Sequence, residues 1–298
     1  MDRPTHSSML VLAGLSLVAP ACDSDPARPP FVFDGSADGA LDSGLPDAAD
    51  MTVPPRPDVG PPPELPVVVY AHSGSTLFAV DPEALTFRAI GDFALVGGGA
   101  LTPMLDLAVD EHQDVWGVTR QGLYRIDPDT AAVMPAVAFE PERPFNGLTF
   151  LPAGMLGSTD EVLIGDTADG EIYRIDPESG EQTLLGHYAD GYVSSGDLVA
   201  IRGEGVFSTV KRPENLDDPD LLVRLTPETG AVEVVGDTNI PRIFGLGYWR
   251  HVLYGFTRDG IIVQIDIDTG EATPILEDTM VESFFGAGVT TIAPIAPF

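Results

Sequence analysis

The phrase EIYRIDPESGEQTLLG at 171–186 recurs as GLYRIDPDTAAVMPA at 122–136 and as GIIVQIDIDTGEATPI at 260–275. No other feature of the 298-residue chain restricts its fold as strongly. Aligned on that phrase, the segments STLFAVD (75–81), QGLYRID (121–127), GEIYRID (170–176), DLLVRLT (220–226) and DGIIVQID (259–266) recur at roughly 40 to 50 residues, the length of a propeller blade. Each runs into a turn of one chemistry, DPEAL, DPDTA, DPESG, TPETG or DIDTG. There Asp or Thr accepts a hydrogen bond from the turn backbone, Pro presets φ, and Gly where present supplies a left-handed residue. A second strand follows each turn.

An apolar strand precedes each of these hairpins: VVVYAHS, DVWGVTR, EVLIGDT, GVFSTVK and HVLYGFT. Four units carry a further strand before that one, LDLAVD, NGLTFL, GDLVAI and FGLGYW, and the first unit lacks it. The missing strand stands at the far end of the chain as GAGVTTIAP (286–294). The offset predicts an all-β fold, a five-bladed β-propeller of four-stranded antiparallel blades over 66–298, its ring closed by the C-terminal strand. A single blade buries too little to stand alone, whereas radial packing covers both faces of every sheet.

The amino terminus reads as an export address. Residues 1–21 hold Arg3 and then a short apolar run, too short to span a bilayer, as in a secretion signal. Cys22, the only cysteine, follows at once in VAPAC, which resembles the lipobox of bacterial lipoproteins and implies lipidation of Cys22. Lacking a second cysteine, the chain forms no internal disulfide. Residues 22–65 are rich in Asp, Pro, Gly and Ala with no apolar period, the composition of a disordered tether. The chain is therefore expected at the bacterial cell envelope, carried across the inner membrane and held by lipid.

A formal charge of −31 opposes binding to nucleic acid or anionic lipid, so the anchor is the expected membrane contact. The five histidines show no paired metal-ligand spacing, and no GxSxG elbow is present. Superposing the inner strands puts Asp106 and Asp197 at one blade position, with Asn146 one residue before the equivalent Gly147. These three are the candidate ligand or metal residues at the channel mouth. The loops GDFALVGGGALTP, FEPERPF, YADGYVSS and EDTMVESFF mix aromatic with acidic residues on that face, which suits sugar rings or cationic peptides. The insertion VKRPENLDDPDLL (210–222) in the fourth unit is expected to project from the same side.

YRIDPESGE resembles the repeats of bacterial quinoprotein-dehydrogenase-like and YVTN-type β-propellers, over about residues 67–294. The Trp that follows the TG turn in quinoprotein repeats is missing from TGEATPIL, SGEQTLLG and TGAVEVVG, so the resemblance does not extend to the quinone cofactor. FNGLTFLPAG (145–154) is similar to the PNG-type strand of gluconolactonase-like propellers, which implies a divalent metal at Asn146. Paired Asp106 and Asp197 resemble the acid and base of five-bladed glycosidases. The expectation is a monomeric, noncatalytic module without cofactor, binding a protein, peptide or carbohydrate on its loop-rich face. The alternative is a glycoside hydrolase or metal-dependent lactonase, and the channel could hold a divalent cation.

Overall fold

The computed structural model describes residues 69–215 and 217–297. The segments expected to be an export signal and a tether, with Cys22 between them, lie outside the described residues. Among the described residues twenty-one strands are arranged in five sheets, one per blade. In the first blade β1 (Val69–His72), β2 (Thr76–Asp81) and β3 (Thr86–Asp92) form a meander, and β21 (Gly286–Gly288) pairs antiparallel with β1 from the other end of the chain. Chain end and chain beginning share one sheet. The fold is the five-bladed β-propeller that the offset repeats imply.

The other blades run in order from inner to outer strand. β5 (Asp106–Val109), β9 (Phe145–Leu151), β13 (Val193–Ile201) and β17 (Ile243–Trp249) are innermost in blades two to five, and with β21 they contact one another around the axis. A short strand unforeseen in the sequence, β4 (Ala94–Leu95), pairs in parallel with the outer strand of the second blade, β8 (Ala132–Ala138), and covers its open edge.

Local chemistry explains the repeated turn. In four blades the Asp carboxylate accepts two backbone N–H groups: Asp81 from Glu83 and Ala84, Asp127 from Asp129 and Thr130, Asp176 from Glu178 and Ser179, Asp266 from Asp268 and Thr269. The residue four places after this position is left-handed every time, with φ of 50° at Leu85, 59° at Ala131, 74° at Gly180, 69° at Gly230 and 78° at Gly270. Four of these turns dock on the outer strand of the preceding blade. A side chain on Gly230 would overlap the carbonyl of His187, and a Cβ on Gly180 would come within 2.7 Å of the carbonyl of Ala138. Leu85 lies at the junction of the first and fifth blades and remains 46% exposed.

Every blade also carries a bulge at one place between its third and outer strands, for example where Tyr173 pairs with Leu184 while Ile172 pairs with Gly186. The extra residue is apolar: Ile90, Ala136, Leu185, Val235 or Ile275. Four of these, all but Ala136, pack against the buried clusters. A bulge adds local twist, which suits blades packed radially. Trp116, Trp249 and Tyr173 fall in the buried core, and each fully buried large side chain contributes about 1.5–3 kcal/mol. Arg125 stacks over Trp116 and Arg143 over Tyr173, at 3.6 and 4.0 Å from the ring centroids.

The closing segment does more than complete a sheet. Only Gly286, Ala287 and Gly288 pair as strand, and residues 289–294 then cross the base of the channel. Thr290 bridges Val109 and donates to the carbonyl of Asp110 in the second blade; Thr291 bonds the Glu161 carboxylate in the third. The carbonyl of Thr291 accepts from Arg202 N at 3.0 Å and that of Pro294 from Arg250 N at 2.9 Å, reaching blades four and five. The sequence reads as one long strand, because its β-branched residues fit a pleat as well as a crossing.

Candidate functional site

Two places at the loop-rich end of the ring follow from this frame. One is the axis. Asp106 opens β5 and Asp197 sits in β13 at a bulge between Ser194 and Leu198, and both are 0% exposed. Asp106 Oδ2 accepts from Leu148 N at 2.5 Å, in the inner strand of blade three. Asp197 accepts from its own blade at Leu198 N (2.6 Å) and from blade five at Leu246 N (2.7 Å). A side-chain hydrogen bond joins the two carboxyl groups, and Asp106 also lies against Gly286 of blade one, where a Cβ would overlap Oδ1. Two carboxyl groups thus touch the inner strands of all five blades.

Burial raises both groups well above the ordinary carboxylate range, and at Asp106 the neighbouring Asp197 charge adds to it. With both groups raised, the pair keeps a proton that the two carboxyl groups share. The sequence alignment brings these two together correctly. It does not show that they are sealed from solvent.

It also misses two companions. His72 ends β1 and Asp166 lies in β10 (Val162–Thr167), each opposite an axial glycine, Gly286 and Gly147. The missing side chains make room: a Cβ on Gly147 would stand 2.8 Å from Asp166 Oδ1, and one on Gly286 2.6 Å from His72 Nε2. His72 Nδ1 donates to the carbonyl of Ser73 at 2.7 Å, so Nε2 carries the lone pair, 3.8 Å from Asp106 Oδ1. Burial lowers His72 to about 4 and pushes Asp166 up to about 7. Asp166 Oδ2 accepts from Tyr188 at 2.7 Å, and the Tyr188 hydroxyl lies 2.9 Å from that of Ser208, which donates to the carbonyl of Asp197.

Asn146 does not join the carboxyl pair. Its Nδ2 donates to Ser194 Oγ at 3.0 Å and to the carbonyl of Gly196 at 3.2 Å. Among the described residues no three His, Cys, Asp or Glu side chains stand together as a metal centre. Asn146 spends its amide N–H groups on blade four, and among the described residues no cluster of carboxylates or imidazoles stands with its Oδ1 to complete the divalent-metal site that the lactonase resemblance implies. Beside this cluster the insertion of blade four is rooted by Lys211 and Asp220, a buried pair 3.2 Å apart. Lys211 is the only lysine in the sequence.

The second place is the seam between blades one and five. A groove of about 810 Å³ opens there among the 73–76 turn and the 279–285 loop. Hydroxyl groups of Ser73, Ser75, Thr76, Thr279 and Ser283 line it, with Phe78, Phe87 and Phe285 as apolar surface. Arg88 and Glu282 are the lining residues that carry charge. The walls are preset: Ser73 Oγ accepts from Ser75 N and Thr76 N, and Val281 N donates to Thr279 Oγ1. The loop EDTMVESFF was legible as part of this rim, but the SGST turn opposite it was not.

No family model matches the chain, and no curated protein matches it. Solved structures similar to it include a chain of a nidogen/laminin complex, at TM-score 0.46 and 10% identity, covering 75% of this chain and 97% of that one. A calcium-binding regucalcin from Agrobacterium tumefaciens follows at 0.38 and 16%, covering 67% and 66%. A protein of unknown function from Bacteroides caccae stands at 0.42 and 8%, covering 74% and 77%.

Proposed function

We propose that this chain is a lipid-anchored β-propeller of the bacterial cell envelope that binds a ligand on its loop-rich face and does not transform it. The observation that carries the reading is the seam groove, whose volume falls within the roughly 300–1,000 Å³ usual for ligand sites and whose walls are held by their own hydrogen bonds. A preset groove spends little binding energy on ordering itself. The acidic groups that would serve a hydrolase are engaged elsewhere. Retaining glycosidases hold their two carboxyl groups about 5 Å apart and inverting ones about 6.5–9.5 Å, with the sugar between them. Asp106 and Asp197 instead bond each other at 0% exposure.

Affinity capture with the full chain, run beside a panel of glycoside and lactone substrates, tests the reading. Specific capture without turnover supports it; turnover that Asp197→Asn abolishes while the fold survives sinks it. Anchoring is tested separately by metabolic labelling with a fatty-acid analogue, which marks the wild type and spares Cys22→Ser.

A further inference from the structure

The groove and its charge point to the ligand's class, and this step rests on the binding reading above. The protein as a whole is strongly acidic, at −31, yet the groove lining carries one cation and one anion, Arg88 and Glu282. An anionic ligand would approach through a repulsive field, and a cationic one would find no excess negative charge inside. The lining therefore matches an uncharged guest.

Its remaining surface alternates hydroxyl with phenyl. A pyranose ring has the complementary surfaces, with an apolar C–H face and a rim of hydroxyl groups that both donate and accept. Each hydroxyl carries one donor and two acceptor sites, so Ser73, which accepts from Ser75 N and Thr76 N, keeps its O–H to donate, whereas Thr76 and Ser283, which donate to Asp92 and to the carbonyl of Phe284, keep lone pairs. Phe285 supplies the flat surface. It is 38% exposed, its backbone N–H is pinned to the carbonyl of His72 at 2.8 Å, and its ring rests over Gly74, where a Cβ would stand 3.1 Å from Cε2. Behind it Phe284 packs edge-on to Phe78 at 5.9 Å and to Phe256 at 5.4 Å, so the residue carrying the platform follows a buried aromatic cluster.

We propose that the seam groove binds a neutral saccharide, one sugar ring lying on Phe285 with its hydroxyl groups bonded to the 73–76 turn and to Thr279 and Ser283. Both walls of the groove belong to the two ends of the domain, so an occupant spans the place where the ring is closed.

The test applies the full chain to an immobilised panel of neutral hexose and N-acetylhexosamine oligosaccharides, with a tetralysine peptide as a parallel arm. The expected result is binding in the saccharide arm, weakened tenfold or more by Phe285→Ala and retained by Phe285→Trp. Ser75→Trp, on the exposed turn, blocks the groove from outside the core and gives the same loss should Phe285→Ala misfold. Saccharide affinity unchanged in both Phe285→Ala and Ser75→Trp overturns the site. Binding in the tetralysine arm alone overturns the saccharide class and leaves the binding module standing, and silence in both arms together with failed affinity capture removes both.

Discussion

At the axis five inner strands close on two carboxyl groups that solvent does not reach; at the seam of blades one and five, hydroxyls and phenyl rings stand around an open groove. Both places are built where blades meet. What separates them is exposure: the axial groups face inward and are sealed, whereas the seam groups line an open surface. Four turns dock their left-handed residue closely against the preceding blade, while the fifth, Leu85, lies at the base of the seam beside Tyr254, Ile262 and Leu276, away from the groove. Residues 277–285 carry the chain across this junction to β21, as the other inter-blade loops do, and the groove opens between that loop and the 73–76 turn. Polar groups at the axis serve closure, and polar groups at the seam remain available for something outside the molecule.

Removing the chain after Ser283 deletes β21 and the segment that ties the base to blades two to five. The axis loses Gly286, and the domain is expected to lose its whole folding stability, about 5–15 kcal/mol. Removing residues 23–60, a longer stretch, is expected to leave Tm unchanged. Thermal melts of the two variants measure the contrast, and a normal melt from the C-terminal truncation would refute ring closure as the source of stability.

Within the axis the two aspartates are expected to differ. Asp197→Asn places an amide N–H among backbone donors and costs about 1–3 kcal/mol. Asp106→Asn retains a donor toward Asp197 and costs less than about 1 kcal/mol. Urea denaturation gives both values; equal losses would mean that neither carboxyl group is the preferred donor of the shared proton.

The pH dependence is smaller and its sign is fixed. Asp166 rises from 3.8 to about 7 through burial, so its contribution is fully present below 3.8 and is lost as pH climbs through 7. His72, lowered from 6.5 to about 4, acts oppositely: its contribution is lost as pH falls through that range. The difference in Tm between wild type and Asp166→Asn removes the histidine from the comparison. It is expected to shift against the wild type between pH 4 and pH 7, and a flat difference would contradict the burial of that carboxyl.

The least effect belongs to the seam. Leu85→Gly exchanges a left-handed leucine for the residue that fits, a gain of about 0.5 kcal/mol after glycine's extra chain entropy. A loss in calorimetry would show that the contacts of Leu85 beside Tyr254, Ile262 and Leu276 outweigh its backbone strain.

Much of the fold was legible because its signals are local and repeated. The turn phrase contains the acceptor, and the unpaired strands at the two ends imply closure. Asp106 and Asp197 could be aligned because inner strands repeat in register. Their burial could not be read, because it depends on glycines at other blades and on His72 and Asp166 from second strands, where the same position elsewhere is Val118, Thr209 or Phe256. The groove was half legible: its loop stands out in composition, whereas SGST opposite it reads as an ordinary turn.

The pair Lys211–Asp220 has a practical corollary. Apart from five histidines the protein's other basic side chains are arginines, and Lys211 is 6% exposed. Amine-reactive reagents therefore find no solvent-facing side-chain target on the folded domain, and coupling to a sensor surface through amines proceeds at the chain's α-amino group. Such a surface presents every molecule with its loops unmodified. Acylation of Lys211 then becomes a reporter of opening at the root of the blade-four insertion, readable by mass at a single residue.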